Sequence, residues 1–228
     1  MRGPCPLMIF AAGFGTRMGA LTADRPKPML EIAGRRMIDR AIDIGEAAGC
    51  DPIAANTHYL SETIAPVLSA RGVAVSHETP EILDTGGGLK AALPRLGPGR
   101  VATLNPDVAW SGPNPLATLL DMPFPDGAGA LLLLVPEEQA LGRTAPGDFS
   151  IGPDGRLSLG GPFVYTGAQI IETEPVRAIR AHAFSLNLVW NALAAEGRLF
   201  GAVYPGRWCD AGHPEGLRAA GALLGQSA

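Results

Sequence analysis

Cysteine is scarce. The 228-residue chain has three, Cys5, Cys50 and Cys209. They are odd in number, far apart and not in a metal-ligand spacing, which points away from a disulfide framework or a zinc site and towards free thiols in a reducing cytosol. No apolar run is long enough to span a bilayer, so no membrane partner is expected. The opening residues, MRGPCPLMIF, carry one arginine but no long apolar stretch before a cleavage site, and no secretory signal is expected. Basic charge is not in excess. The net charge of -4 gives no sign of a nucleic-acid surface, so arginine and lysine are local tools. Repeats and low-complexity tracts are also lacking, and the 21 prolines and 30 glycines are spread as turn punctuation. What remains is a chain that is 46% hydrophobic, with enough length to bury the core of a single domain over residues 1–228.

The most informative stretch is Leu7 to Pro28. Leu7-Met8-Ile9-Phe10-Ala11 reads as a buried parallel strand. A loop with Gly13, Gly15 and Gly19 follows, with Thr16 and Arg17 between them, and then Arg25-Pro26-Lys27-Pro28. Glycine permits a tight turn whose N–H groups approach an anion, and the nearby cations neutralise phosphate charge. The spacing is not the dinucleotide fingerprint, because Met18 stands at the third glycine position. That disfavours a nicotinamide-dependent oxidoreductase. No Gly-Lys-Ser/Thr follows, so the loop is not a P-loop.

Further on, helical spacing over Met37 to Ala48 and again from Ser61, an expected N-cap, to Ala70 alternates with extended runs at Pro52–Thr57 and Val73–Ser76. Strand, helix, strand, helix, strand is the alternation of a doubly wound α/β domain. Gly86-Gly87-Gly88 suit a backbone approaching a planar ligand, with a helix expected from Leu89 to Leu93. Val101 to Leu104 forms a fourth strand ending in Asn105-Pro106-Asp107, where ligands of open α/β sheets sit. A helix from Pro115 to Met122, a doubly buried strand over Ala130–Val135, a hairpin turning at Pro153-Asp154-Gly155 and a strand from Phe163 to Ile171 come next. A helix from Phe184 to Ala195, a strand at Leu199–Tyr204 and a last helix from Pro214 to Leu224 complete the chain.

Ala11-Ala12-Gly13-Phe14-Gly15-Thr16-Arg17-Met18 with Arg25-Pro26-Lys27-Pro28 resembles the signature of the sugar-1-phosphate nucleotidyltransferases. The resemblance continues through Leu83-Asp84-Thr85-Gly86-Gly87, Asn105-Pro106-Asp107, Tyr165-Thr166-Gly167 and Trp208-Cys209-Asp210-Ala211-Gly212-His213-Pro214-Glu215. It implies a Rossmann-like, mostly parallel sheet of the glycosyltransferase-A kind, with a small β-hairpin over the sugar side. Residues 1–135 would form the nucleotide half and residues 136–228 the sugar half. It further implies that Ala11, Ala12, Gly13, Gly15 and Thr16 wrap the triphosphate of an NTP, that Arg17 contacts its phosphates, and that Lys27 steadies the reacting α-phosphate. Thr85, Gly86 and Gly87 would hold the base through main-chain groups, with Glu81 beside it. Asn105 would contact the sugar or the nucleotide, and Gly167 would leave room for the sugar. Tyr165 is either a contact or simple packing, and Asn187 or Asn191 would reach the sugar.

Asp107 and Asp210 would bind Mg²⁺, a hard cation suited to carboxylates, waters and phosphates. Pro106 and His213 depart from the family pattern, and His213 is expected to cap the last helix. The reaction implied is NTP plus sugar 1-phosphate giving NDP-sugar and pyrophosphate. The segments most resemble N-acetylmuramate-1-phosphate uridylyltransferases, with UTP as the nucleotide, and next the compact mannose-1-phosphate guanylyltransferases. The rival of another class is an inactive nucleotide-binding regulatory protein; the intact Arg17, Lys27, Asp107 and Asp210 weigh against it.

Overall fold

A computed structural model describes residues 4–225. The first strand, β1 (Leu7–Phe10), is followed by a loop and two 3₁₀ turns, Thr16–Thr22 and Lys27–Met29. A two-residue hairpin, β2 (Glu31–Ile32) and β3 (Arg35–Arg36), leads into α1 (Met37–Ala47). Then come β4 (Ile53–Thr57), α2 (Ser61–Ala70), β5 (Ala74–His77) and α3 (Asp84–Leu96). They are followed by β6 (Arg100–Leu104), β7 (Val108–Ser111), α4 (Pro115–Asp121), β8 (Ala130–Pro136) and β9 (Ala140–Leu141). The chain ends with β10 (Phe149–Ile151), β11 (Leu157–Leu159), β12 (Phe163–Glu172), α5 (Thr173–Ala178), α6 (Leu186–Ala195), β13 (Leu199–Val203), β14 (Arg207–Asp210) and α7 (Pro214–Gly225).

The central sheet is mixed and largely parallel. Its order is β11-β10-β12-β6-β1-β4-β5, with β8 also pairing β12 and carrying β13 on its other side. The pairs β1–β4, β1–β6, β4–β5 and β13–β8 are parallel, and β12 runs antiparallel to both β6 and β8. Alternation along β1 shows how the two faces are filled. Leu7 and Ile9 enter one core with Ile38 and Ile42 of α1, Ile64 and Leu68 of α2, and Leu116 and Leu119 of α4. Met8 enters the other with Leu89 and Leu93 of α3 and with Val189 and Leu193 of α6. Helices thus cover both faces, as the strand–helix alternation led one to expect. Among the described residues, no helix is long and apolar enough to cross a membrane.

Three expectations need correction. The helix expected from Leu89 begins five residues earlier, at Asp84, and contains all three consecutive glycines. Ser61 does not cap α2: Leu60 precedes the helix with no side-chain cap, and the Ser61 hydroxyl bonds the Thr57 hydroxyl at 2.8 Å. Phe184 lies outside α6, which starts at Leu186 after Ser185, whose hydroxyl accepts from the Asn187 N–H.

A second, small sheet, β7-β14-β9, stands beside the main one. It pairs Asp210 with Val108, and the Ala211 N–H donates to the Asp107 carbonyl at 2.9 Å. Two aspartates about a hundred positions apart in sequence become neighbours through this ladder. His213 caps α7 as expected, its Nδ1 accepting from the Gly216 N–H at 3.2 Å. Its Nε2 faces the Gly142 carbonyl at 2.6 Å.

Candidate active site

The carboxyl ends of β1, β4 and β6 open onto a cleft with two adjoining lobes. The smaller, about 200 Å³, is lined by Ala11, Ala12, Gly13, Lys27, Asn56 and Glu78, among others. The larger, about 490 Å³, lies against Arg17, Tyr165, Gly167, Asn187, Trp190 and Asp210, among others. Phe10, Asp84, Thr85, Asn105 and Asp107 border both.

Charged groups converge at the junction. Lys27 Nζ donates to Asp107 Oδ2, and each side chain is only 15% exposed. A Cβ placed on Gly212 would meet Asp210 Oδ1 at 2.8 Å, Arg17 Nη2 at 3.0 Å and Asp107 Oδ2 at 3.2 Å. Two carboxylates and a guanidinium therefore crowd the Gly212 backbone, with Lys27 bonded to one of the carboxylates. The Gly212 N–H fixes Asp210 by donating to Oδ1 at 2.7 Å. Burial pushes the Asp107 carboxyl up, but the charge and hydrogen bond of Lys27 and the charge of Arg17 outweigh it. The carboxyl is held below the usual carboxylate range.

The loop after β1 divides its labour. The Ala11 N–H is already committed, to Asn56 Oδ1 at 2.7 Å. The next three N–H groups, of Ala12, Gly13 and Phe14, have no partner among the described residues, and a run of such main-chain donors suits an anion; Ala12 and Gly13 line the smaller lobe. Gly15 has a different reason to be glycine. Its φ is +67°, and a Cβ there would lie 3.0 Å from both Lys27 Cβ and Thr22 Cγ2. It seats the loop on the lysine and does not line the cleft, and neither does Thr16. Arg17 lies in the larger lobe, beside the acid pair.

The glycines of α3 face protein. The Gly86 and Gly87 N–H groups donate to the Phe184 carbonyl at 2.8 and 3.0 Å. A Cβ on Gly87 would sit 2.4 Å from the His182 carbonyl, and one on Gly88 would sit 2.6 Å from both Asn56 Nδ2 and Glu78 Oε1. The Gly86 and Gly87 N–H groups are thus bonded within the protein, and neither glycine lines either lobe. Thr85 does border the cleft, but its hydroxyl accepts from the Leu186 N–H at 3.0 Å. Gly167, with φ +89°, makes room for Asn105, whose Cβ would be 2.8 Å away from an added Cβ; the space it leaves is filled by that side chain. Asn187 and Asn191, one turn apart on α6, both line the larger lobe. Tyr165 does so too, packed edge-on against Trp190 at 4.8 Å.

Glu81 is exposed and lines neither lobe. The glutamate that does is Glu78, three residues earlier and 2% exposed. Its Oε1 accepts from Asn56 Nδ2 at 2.7 Å and its Oε2 from the Leu83 N–H at 2.8 Å. This buried chain ties β1, β4 and α3 together beneath the smaller lobe. The sequence signal for it was Asn56, a polar residue near the carboxyl end of an otherwise apolar strand.

The comparisons with known proteins fit this geometry. Residues 7–202 match the MobA-like NTP transferase domain. The chain is 34% identical, over 99% of both sequences, to the N-acetylmuramate alpha-1-phosphate uridylyltransferase of Caulobacter vibrioides. It is 32% identical to the enzyme of the same name from Neisseria meningitidis serogroup B, over 96% of this chain and 97% of that one. The fold matches a UDP-glucose pyrophosphorylase complexed with UDP-glucose, with a TM-score of 0.78 and 15% identity, over 99% of this chain and all of that one. The chain belongs to the MobA-like NTP transferase domain family, among the sugar-1-phosphate nucleotidyltransferases.

Proposed function

We propose that the protein transfers the uridylyl group of UTP to N-acetylmuramate 1-phosphate and releases pyrophosphate. The observation that carries the reading is the gathering of Arg17, Asp107 and Asp210 around Gly212, with Lys27 bonded to Asp107, which borders both lobes. The full-length likeness to two enzymes of that name supports the substrate choice. Residues 1–135 supply the smaller, nucleotide lobe; residues 136–228 supply most of the wall of the larger, sugar lobe.

A phosphate oxygen of the sugar 1-phosphate attacks the α-phosphorus of UTP. The new O–P bond forms as the bond to the β,γ-pyrophosphate breaks, and the electron pair leaves with pyrophosphate. The nucleophile is already ionised, so no general base is needed. The chain's task is to position two anions and to neutralise the charge that develops. Ala12, Gly13 and Phe14 offer N–H groups to the triphosphate, Lys27 turns from Asp107 to the α-phosphate, and Arg17 steadies the phosphates at the lobe junction. Asp107 and Asp210 are hard oxygen donors, and two of them fit Mg²⁺, which keeps sites for water and phosphate. When bound, the ion neutralises phosphate charge. The free thiols of Cys5, Cys50 and Cys209 favour the cytoplasm as the compartment.

Pyrophosphate release with Mg²⁺, measured for UTP, GTP, CTP and dTTP against a panel of sugar 1-phosphates, tests the reading. A dominant signal for UTP with N-acetylmuramate 1-phosphate is expected. A dominant signal for GTP with mannose 1-phosphate would replace the substrates and keep the chemistry. NTP binding without turnover of any pair would favour a regulatory protein.

A further inference from the structure

Arg143 stands apart from the phosphate-handling groups. It follows β9 and lies in the wall of the larger lobe, with its side chain 22% exposed. Its bonds to Asp148 Oδ1, at 2.6 Å, and to the Pro146 carbonyl, at 3.3 Å, both come from Nη2. Its Nε is buried and is the one buried side-chain nitrogen or oxygen without a hydrogen-bond partner among the described residues. A buried donor left unpaired is costly, and most such groups in folded proteins find a partner. The position on Asp148 is therefore a resting place, and a better acceptor in the cleft would draw the guanidinium to it.

The charges around the lobe say what that acceptor is. Its charged lining consists of Arg17, Asp84, Asp107, Arg143, Asp148 and Asp210. Arg17 stands beside the acid pair at the lobe junction, where the reading above places the phosphates. Arg143 is the other cation, and Asp148 links it to Tyr165, in the lobe whose wall also holds Trp190 and Asn187 and where a sugar ring would lie. It is also tethered close to the reacting centre: a Cβ on the preceding Gly142 would lie 2.4 Å from the Asp210 carbonyl oxygen. An uncharged sugar has no use for a guanidinium there. A carboxylate on the sugar does, because arginine presents a planar fork of donors matched to it.

We propose that Arg143 is the specificity residue that recognises a carboxylate borne by the sugar of the acceptor, leaving Asp148 to do so. N-acetylmuramate carries such a group, on a lactyl ether that N-acetylglucosamine lacks. The proposal rests on the sugar-1-phosphate reading above and deepens it. Asp148 keeps its second tie in the bound state, since Oδ2 accepts from the Tyr165 N–H at 2.9 Å.

The test compares N-acetylmuramate 1-phosphate with N-acetylglucosamine 1-phosphate at saturating UTP and Mg²⁺, in the wild type, Arg143→Gln and Arg143→Lys. A charged hydrogen bond lost from the acidic sugar alone should change the ratio of the two KM values by ~10- to 100-fold in Arg143→Gln, mostly through KM, with partial recovery in Arg143→Lys. Calorimetric binding of UDP-N-acetylmuramate and UDP-N-acetylglucosamine should show the same shift in preference without turnover. Arg143→Lys serves where Arg143→Gln does not fold. An unchanged KM ratio in both variants, with the wild-type preference for the acidic sugar intact, would overturn the proposal alone. An equal loss for both sugars would also overturn it, and would place Arg143 on the shared phosphate or in the scaffold. A wild type that prefers the uncharged sugar would overturn the acceptor reading itself.

Discussion

Lys27 and Asp107 form the most consequential pair in the molecule. The pair is scarcely exposed, and lysine is itself rare, with Lys90 the only other one in the chain. The Asp107 carboxyl lies below its usual range despite burial, because Lys27 and Arg17 hold it there. The stabilisation from this depressed carboxyl is fully present above the ordinary carboxylate value, about 4, and is lost as pH falls through the folded-state value. In Lys27→Met the burial remains and the nearest compensating charge is gone, so the carboxyl should rise. The stability gap between wild type and Lys27→Met should be widest near neutrality and narrow below about pH 4, as read by urea unfolding from pH 7 to 3. A gap that is constant over that range would mean that the pair does not set the Asp107 ionisation. At this scale the sequence was legible where chemistry fixes residue type. Lys27, Asp107 and Asp210 stood out through the family resemblance, and the fold bonds Lys27 to Asp107 and sets Asp210 beside them. Arg143 did not stand out, since an arginine inside an ordinary loop carries no periodic or spacing signal, and Glu78 left only the indirect trace of its partner Asn56 in an apolar strand.

The elements explain why the glycine runs were misread. Three consecutive glycines look like a turn, since each weakens a helix. Here they open α3 because the segment His182–Phe184 packs across the helix start, bonding it through the Phe184 carbonyl. The requirement for no side chain is a long-range contact, and such contacts leave no local trace. A Cβ on Gly86 would lie 2.4 Å from Phe184 Cε2 and 2.9 Å from its carbonyl oxygen. Gly86→Ala should therefore lose about 1–3 kcal/mol, a fall in Tm of roughly 2–12 °C for a chain of this size. Because the same segment leads to Asn187, KM for the sugar should rise as well. Gly221→Ala, in a helix with nothing within 4 Å of the added Cβ, should be neutral or stabilising in the same thermal melt. Equal melting temperatures for Gly86→Ala and the wild type would show that the strap yields freely. The strands β7 and β14 escaped detection for a related reason. Four residues each, without clear alternation, they are made strands by each other, and their pairing brings the two aspartates together.

At the scale of the whole molecule, the order of strands and helices was readable because a core on each face of a sheet imposes periodicities of 2 and 3.6 on the sequence. The antiparallel insertion of β12 between β6 and β8 was not, since pairing partners are chosen by the assembled sheet. That insertion carries Tyr165 and Gly167 to the cleft, and so adds the larger lobe to the smaller one. The two lobes adjoin at Asp107, beside Lys27, Arg17 and Asp210, and the proposed chemistry requires that junction. The most direct test is pyrophosphate release from UTP and N-acetylmuramate 1-phosphate with Mg²⁺, by the wild type and by Asp210→Asn at matched fold by circular dichroism. Efficient release by the wild type and a loss of about 10²-fold or more in Asp210→Asn is the expected result. Turnover by Asp210→Asn close to that of the wild type would contradict the account, because the carboxylate pair at Gly212 would then not be where the chemistry occurs.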